Sequence, residues 1–320
     1  MDTRTNKRCL ICGYTGKASA GDEAILDRYA KALDGDITVI TENQASVAAA
    51  HRVRTVGRYD ISGIIREMKR SDLLILGGGT LLQRKTSARS LLYYSSIAET
   101  AAITGLPFVV CGGIDDDSFI TQNVLKRAKK LYLRDSFSVM TARRLGFADK
   151  CAYAPDPVLI PSVKAPERHG AVICSPRFDD IRSIKAALYY SKAARTKLVF
   201  LSMNAEDDEI CKSAAKKCGA PYETGINSQR CEALIGGAGA LFTSRLHACV
   251  MAYSHGVPFA VFSDDPKITA FAHDIGMSRA VCPKNGDLVN VIDGFDFSRA
   301  RAAAQKASDA LCDLQSILLS

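Results

Sequence analysis

The sequence predicts an α/β protein made of two domains, each a parallel sheet with covering helices. Three observations carry that reading. Short apolar runs alternate with stretches of helical periodicity, the pattern of parallel sheets packed between helices. The pattern halts at a proline-rich break and then restarts. The chain has 320 residues, long for one hydrophobic core and natural for two. The expected domains are residues 1–160 and 161–320.

In order, the first half opens with strand Cys9-Leu10-Ile11-Cys12, a glycine turn from Gly13 to Gly21 and a helix from about Asp22 to Leu33. Strand Ile37–Ile40 follows, then a helix near Tyr59–Met68 and strand Leu73–Leu76. Gly77-Gly78-Gly79 turns the chain toward a helix over roughly Ala88–Thr104. Strands Phe108–Cys111 and Leu131–Leu133 and helix Ser136–Leu145 complete the half. The stretch Pro155–Pro166 holds four of the ten prolines and reads as the linker. The second half supplies strands Ala171–Cys174, Lys197–Leu201, Gly239–Phe242 and Phe259–Phe262, and a last helix from about Phe297 to Leu319.

Composition is that of an ordinary globular protein, with 47% hydrophobic and 24% charged residues. The formal net charge of +8 suits an acidic ligand, but Lys and Arg are too dispersed for a nucleic-acid surface. The one local run, Lys126-Arg127-Ala128-Lys129-Lys130, reads as a solvated helix end. The residues Met1–Arg8 lack an apolar signal region, and no apolar run reaches about 18 residues. The expectation is a cytoplasmic protein with at most peripheral membrane contact. The 11 cysteines form no framework and read as reduced core residues. Cys9 and Cys12 fall on opposite faces of a strand, so no metal site is expected.

The chemistry is concentrated where strands end. Ser244-Arg245-Leu246-His247 and Asp264-Asp265-Pro266-Lys267 each follow a strand and open a helix. Ser244 and Asp265 read as N-caps, with Pro266 at the first helical position. Arg245, His247 and Lys267 are then candidates for an anion site beside a titratable imidazole. The competing readings are an Arg245–carboxylate pair and a packed, hydrogen-bonded His247. Gly13-x-x-Gly16-x-x-x-x-Gly21-Asp22-Glu23 is neither a dinucleotide fingerprint nor a Walker motif. It serves either a ligand at a helix start or a tight turn. Gly77, Gly78 and Gly79 point to close backbone approach, to substrate or to the other domain. Gln83–Arg89 is a polar, cationic stretch that suits a sugar or an anion, or a solvated loop. Arg134 ends a strand, with Asp135 or Ser136 as the next cap, and can grip a carboxylate or phosphate. Asp156 sits between two prolines and caps their turn or serves the site. Arg177 is a further cationic candidate.

Taken together, the ordered motifs resemble the CsaB-type polysaccharide pyruvyltransferase family from Gly13 to about Gly276. Gly13–Leu26 resembles GYYGxxNxGDExIL, and Gly77–Gln83 with Thr86–Tyr94 resembles GGGSLLQDxTSxxSLxYY. Arg134–Ser138 resembles RDxxS, Asp156-Pro157 a closing DP, Arg245–Ala248 RLHA, and Asp265–Lys267 the end of YDPK. The resemblance implies two Rossmann-like domains in a GT-B-like arrangement with an interdomain cleft. It implies transfer of a pyruvyl group from phosphoenolpyruvate to a diol of a sugar or lipid-linked glycan, without a cofactor. It places Arg134, His247 and Lys267 in the catalytic site. Arg245, Arg177, Gly77, Gly78, Gly79, Gly21, Asp22 and Ser244 are the expected substrate-binding residues.

The chain departs from the family pattern at Ser19, at Gln83-Arg84, at Asp264 and most in Cys111–Asp117, where a QGIGP-like turn is usual. These changes fall mostly on the acceptor side. Two other functions fit the same architecture. One is a glycosyltransferase or sugar-nucleotide epimerase; the other is a non-catalytic relative that binds a glycan precursor.

Overall fold

Arg8–Cys12 is an interior strand of a seven-stranded parallel sheet in the computed structural model, which describes residues 7–83, 88–164, 166–225 and 227–320. The strands of the first half are β1 (Arg8–Cys12), β2 (Asp36–Thr41), β3 (Arg54–Gly57), β4 (Leu73–Gly77), β5 (Leu82–Gln83), β6 (Phe108–Gly112), β7 (Ile114–Asp115), β8 (Lys130–Leu133) and β9 (Cys151–Tyr153). Their order is β3-β2-β1-β4-β6-β8-β9, with β5 and β7 paired separately. The register places Ile11 beside Val39 on one side and Ile75 on the other. Every residue of β4 is buried, which is why that strand reads as an unbroken apolar run. Helix Ala88–Ile103 packs Leu91, Tyr94, Ile97 and Ala101 into the same core.

The second half contributes β10 (Val172–Ser175), β11 (Leu198–Leu201), β12 (Tyr222–Glu223), β13 (Ala240–Thr243) and β14 (Phe259–Val261), in the order β12-β11-β10-β13-β14. Val172, Phe200, Phe242 and Phe262 fill one core. A second aromatic cluster forms where Phe295 lies 4.8 Å from Phe259 and 4.9 Å from Phe297, ring centre to centre. In each sheet the strand order reverses next to the first strand, at β1/β4 and at β10/β13. The crevice outside the carboxyl ends of the strands at such a reversal is where α/β sheets bind ligands.

The contacts group the chain into two units that depart from the contiguous halves 1–160 and 161–320. Unit 1 is Met1–Lys17, Ile25–Pro157 and Lys306–Ser320; unit 2 is Ala18–Ala24 and Val158–Gln305. Two long-range attachments explain the difference. In unit 2 the Ala20 amide donates to the Met203 carbonyl at 2.9 Å, and Ser19 bridges Asn204 in antiparallel fashion. In unit 1 the last helix, Ala300–Leu319, brings Asp313 to the Tyr132 hydroxyl at 2.7 Å and to the Lys130 ammonium. The Asp34 amide also donates to Gln315 Oε1 at 3.0 Å. None of these pairs is close in sequence.

The chain passes from unit 1 to unit 2 between Pro157 and Val158, inside the Pro155–Pro166 stretch expected as the linker, and this stretch is packed. Val158 and Leu159 are buried, and the Ser162 amide and hydroxyl donate to the buried Glu232 carboxylate at 2.8 and 2.7 Å. Seven cysteines are buried and none of the 11 is in a disulfide, while Cys218, Cys282 and Cys312 are exposed. Burial pushes the Cys12 thiol up to about 12. Among the described residues no helix is long and apolar enough to cross a membrane.

Candidate functional site

Unit 2 gathers four of the candidate side chains around the first turns of three helices. Helix Ala20–Ala32 starts two residues earlier than expected. Ser19 just precedes it, and the Ser19 hydroxyl donates to Asp22 Oδ2 at 2.6 Å. Gly21, in that first turn, lies on His247 in the first turn of helix Leu246–Ser254. A Cβ at Gly21 would overlap the imidazole ring, so only glycine leaves His247 its place. Burial raises the Asp22 carboxyl above its usual range, opposed by the charges of His247 and Lys267 and by the Ser19 hydrogen bond. An acid, an imidazole and an ammonium thus act on one another at helix N-termini, which favour anions.

Lys267 is placed by local capping chemistry, as expected. Asp265 caps helix Pro266–Asp274, accepting from the Lys267 amide at 3.2 Å, with Pro266 in the first turn. The Lys267 ammonium lies 3.1 Å from Asp265 Oδ2. Ser244 behaves differently. The helix begins at Leu246, so its N-cap is Arg245 in extended conformation, with no side-chain capping bond. The Ser244 hydroxyl instead accepts from the Arg177 amide at 2.9 Å, tying the loop after β13 to the loop after β10.

Arg245 and Arg177 part company. Arg245 grips the fully buried Asp207 with Nε at 2.8 Å and Nη2 at 2.6 Å, and reaches Glu206 at 2.8 Å. Asp207 also accepts from the Phe178 amide at 3.0 Å. Arg245 is therefore spent on internal carboxylates, the alternative left open by its sequence context. Arg177 is half-buried, and its Nε has no hydrogen-bond partner among the described residues. The hydroxyl of Ser175, the last residue of β10, is in the same condition. Both lie at the carboxyl end of β10, at the strand-order reversal of unit 2.

Unit 1 holds Arg134 and the glycines. Arg134 follows β8 and is only 9% exposed. Its Nη2 donates to the Thr80 hydroxyl at 3.0 Å, and Asp135 and Asp156 each lie 3.9 Å from the guanidinium. Asp135, not Ser136, caps the next helix, accepting from the Ser138 amide at 2.7 Å. Of the two readings of Asp156, the structure brings it beside Arg134. Gly78 and Gly79 have φ of 91° and 92°, which explains two of the three glycines. The close approach they permit is internal: the Gly113 amide donates to the Gly79 carbonyl at 3.2 Å. Gly77 ends β4 and packs against Cys111 and Tyr29. Tyr29, Gly78, Gly79, Cys111, Arg134 and Asp156 line one pocket, walled on another side by Leu311 and Leu314 of the last helix. Burial pushes the Cys111 thiol up to about 12, so it is a neutral wall residue. In the Gln83–Arg89 stretch, residues 84–87 lie outside the described residues.

Sequence reasoning missed Ser19, Thr80 and Asp207. Ser19-x-x-Asp22 is a capping-box spacing and carried a signal. Nothing local links Asp207 to Arg245, or Thr80 to Arg134. Among the described residues no group of three or more His, Cys, Asp or Glu side chains is arranged to hold a metal ion.

In comparisons with known proteins, the fold is similar to that of UDP-GlcNAc 2-epimerase from Methanocaldococcus jannaschii, with a TM-score of 0.66 at 8% identity over 97% of this chain and 99% of that one. It is similar to UDP-GlcNAc 2-epimerase from Neisseria meningitidis bound to UDP-GlcNAc, with a TM-score of 0.62 at 11% identity over 98% and 99%. HepE of Anabaena in complex with UDP-glucose scores 0.56 at 12% identity over 97% and 94%. At such identities the likeness is one of fold, the GT-B-like class expected from the sequence. No curated protein matches the sequence. The family model for polysaccharide pyruvyl transferase matches residues 20–266, a span that includes Gly21, Asp22 and His247 and ends at Pro266, next to Lys267. The chain belongs to the polysaccharide pyruvyl transferase family.

Proposed function

We propose that the protein transfers the pyruvyl group of phosphoenolpyruvate to two hydroxyls of a sugar in a surface-glycan precursor, forming a ketal. The observation that supports this most is the Asp22, His247 and Lys267 cluster at helix starts of unit 2, with Asp22 and His247 inside the span of the family match and Lys267 next to its end. The donor is a small polyanion. Lys267, the helix N-termini and the inward Arg177 Nε offer it charge-assisted hydrogen bonds.

The transfer needs one proton delivered and two removed. His247 as imidazolium protonates the terminal vinyl carbon, leaving C2 of the donor electrophilic. One sugar hydroxyl adds to C2, the bond from C2 to the phosphate oxygen breaks, and the second hydroxyl adds to close the ketal. One hydroxyl proton returns to His247 and the other leaves with phosphate, so the imidazolium is regenerated. Asp22, charge-coupled to His247 at the adjoining helix start, is proposed to help hold the imidazole in place. Arg134 in unit 1 is proposed to bind a carboxylate or phosphate of a substrate through its fork of N–H donors.

The test is phosphate release from phosphoenolpyruvate in the presence of sugar acceptors. Release that requires acceptor and disappears in His247→Gln supports the reading. Epimerisation of UDP-GlcNAc without acceptor-dependent phosphate release would replace it with an epimerase.

A further inference from the structure

The loops at the carboxyl ends of β1, β2 and β3 carry a cluster that the proposed chemistry leaves unused. Four of the chain's 11 tyrosines take part: Tyr14, Tyr59, Tyr93 and Tyr94. Arg58 is the hub. Its guanidinium stacks 4.1 Å from the Tyr93 ring centre and 5.2 Å from that of Tyr94, and its side chain is 10% exposed. Glu42 is the outward polar group, 36% exposed. It sits 3.2 Å from Lys17 and 3.7 Å from Arg58, and accepts from the Tyr59 hydroxyl at 3.4 Å. Lys17 in turn lies 5.3 Å from the Tyr14 ring centre. The network joins two rings that face solvent, Tyr59 at 73% and Tyr14 at 40% exposure.

Tyr14 follows β1, on one side of the strand-order reversal of unit 1, while Glu42 follows β2 and Tyr59 the edge strand β3. Gly13, just after β1, approaches Gly77 of β4 so closely that a Cβ would overlap the Gly77 carbonyl, and the Tyr94 hydroxyl donates to the Gly13 carbonyl at 3.4 Å. This is the position where such a sheet presents its ligand crevice. A single exposed tyrosine calls for no explanation. Here two are linked through Glu42, which accepts from Tyr59 and pairs with the Lys17 that lies over the Tyr14 ring, beside an arginine stacked on Tyr93. Tyrosine gives a flat apolar face and a polar rim at small entropic cost, and a carboxylate accepts from neighbouring hydroxyls.

We propose that Tyr14, Tyr59 and Glu42 form a platform for an uncharged hexopyranose unit of the acceptor glycan, an assignment that rests on the transfer reading above. The C–H face of the sugar packs on the tyrosine rings, and its hydroxyls donate to Glu42. Lys17 and Arg58 already face Glu42, so an anion arriving here meets a carboxylate rather than free cations. That separates this platform from the polyanionic donor.

Saturation-transfer NMR with methyl hexopyranosides on the full chain tests the platform without needing turnover. Wild type should transfer saturation to the sugar ring protons. Tyr59→Ala and Glu42→Ala should each weaken binding about tenfold, a difference of roughly 1.4 kcal/mol. Tyr59→Phe, which keeps the ring, should retain most of it. Tyr59 is exposed, so its variants should melt with wild type. No saturation transfer in wild type, no loss in either alanine variant, or displacement of the sugar by inorganic phosphate would each overturn the platform. Sugar binding through Tyr59 with no phosphate release from phosphoenolpyruvate would leave the platform and sink the transfer. Turnover with an unchanged acceptor KM in Tyr59→Ala would do the reverse.

Discussion

The backbone of Gly21 lies against the imidazole of His247, leaving no room for a side chain between them. Alanine is otherwise the better residue in a helix, by about 1 kcal/mol. Gly21→Ala should therefore melt close to wild type while displacing His247. Displacement of a catalytic group by about 1 Å costs on the order of a hundredfold in rate. Steady-state kinetics alongside a melting curve checks this, and full activity in Gly21→Ala would remove His247 from the chemistry.

Asp22 carries a pH signature. Burial raises its carboxyl above 3.8, more than His247, Ser19 and Lys267 lower it. The folded state then binds the proton more tightly than the unfolded chain, so the ionised group costs stability at neutral pH. That cost disappears as pH falls through the folded-state value. Asp22→Asn should be more stable than wild type at neutral pH, with the gap closing in acid, and should lose activity. Denaturant midpoints of both proteins across the acid range measure it. A neutral-pH midpoint below wild type would mean that the attractions outweigh burial.

Arg245 is expected to be structural. Removing it strands Asp207, which is fully buried. Breaking a buried pair from one side costs about 3–5 kcal/mol. Arg245→Ala should therefore lose stability on that order, and adding Asp207→Ala should recover part of it. Chemical denaturation of the single and double variants decides. A stable Arg245→Ala with weakened donor binding would return the residue to the substrate.

Arg134 separates charge from geometry. Arg134→Lys keeps a cation beside Asp135 and Asp156 but loses the planar fork. It should fold, and should raise the KM of one substrate about tenfold, the equivalent of roughly 1.4 kcal/mol. The substrate whose KM moves is the one Arg134 holds. If neither KM moves, Arg134 belongs to the structure of unit 1.

The last helix, which walls the Arg134 pocket, carries a second pH signature. Burial raises the Asp313 carboxyl, but hydrogen bonds from Lys130 and Tyr132 outweigh it and lower the carboxyl overall. A lowered acid contributes stability above its unfolded value, and loses it as pH falls through the folded one. Asp313→Asn should flatten that acid limb without changing KM for either substrate.

The sheets were readable because buried parallel strands are continuous apolar runs, as in Leu73–Leu76 and Leu241-Phe242. Strands β3, β9 and β12 were not, because they sit at sheet edges and are short and mixed in polarity, such as Cys151-Ala152-Tyr153. The Asp265–Pro266 cap was legible because capping acts over three residues. The cap before His247 was misplaced by one residue, since Arg245 gives no capping signal. Arg245–Asp207 and Ala20–Met203 join positions far apart in sequence, and no local pattern encodes them. The proposed reaction rests on the order of the motifs and the family they mark.

The most direct test incubates the protein with phosphoenolpyruvate and a panel of glycan precursors bearing free diols, and measures phosphate together with the mass of the acceptor. The account predicts one phosphate released for each ketal-linked pyruvate formed, with both lost in His247→Gln. Phosphate release without modified acceptor, or an equal yield of ketal in His247→Gln, would contradict it.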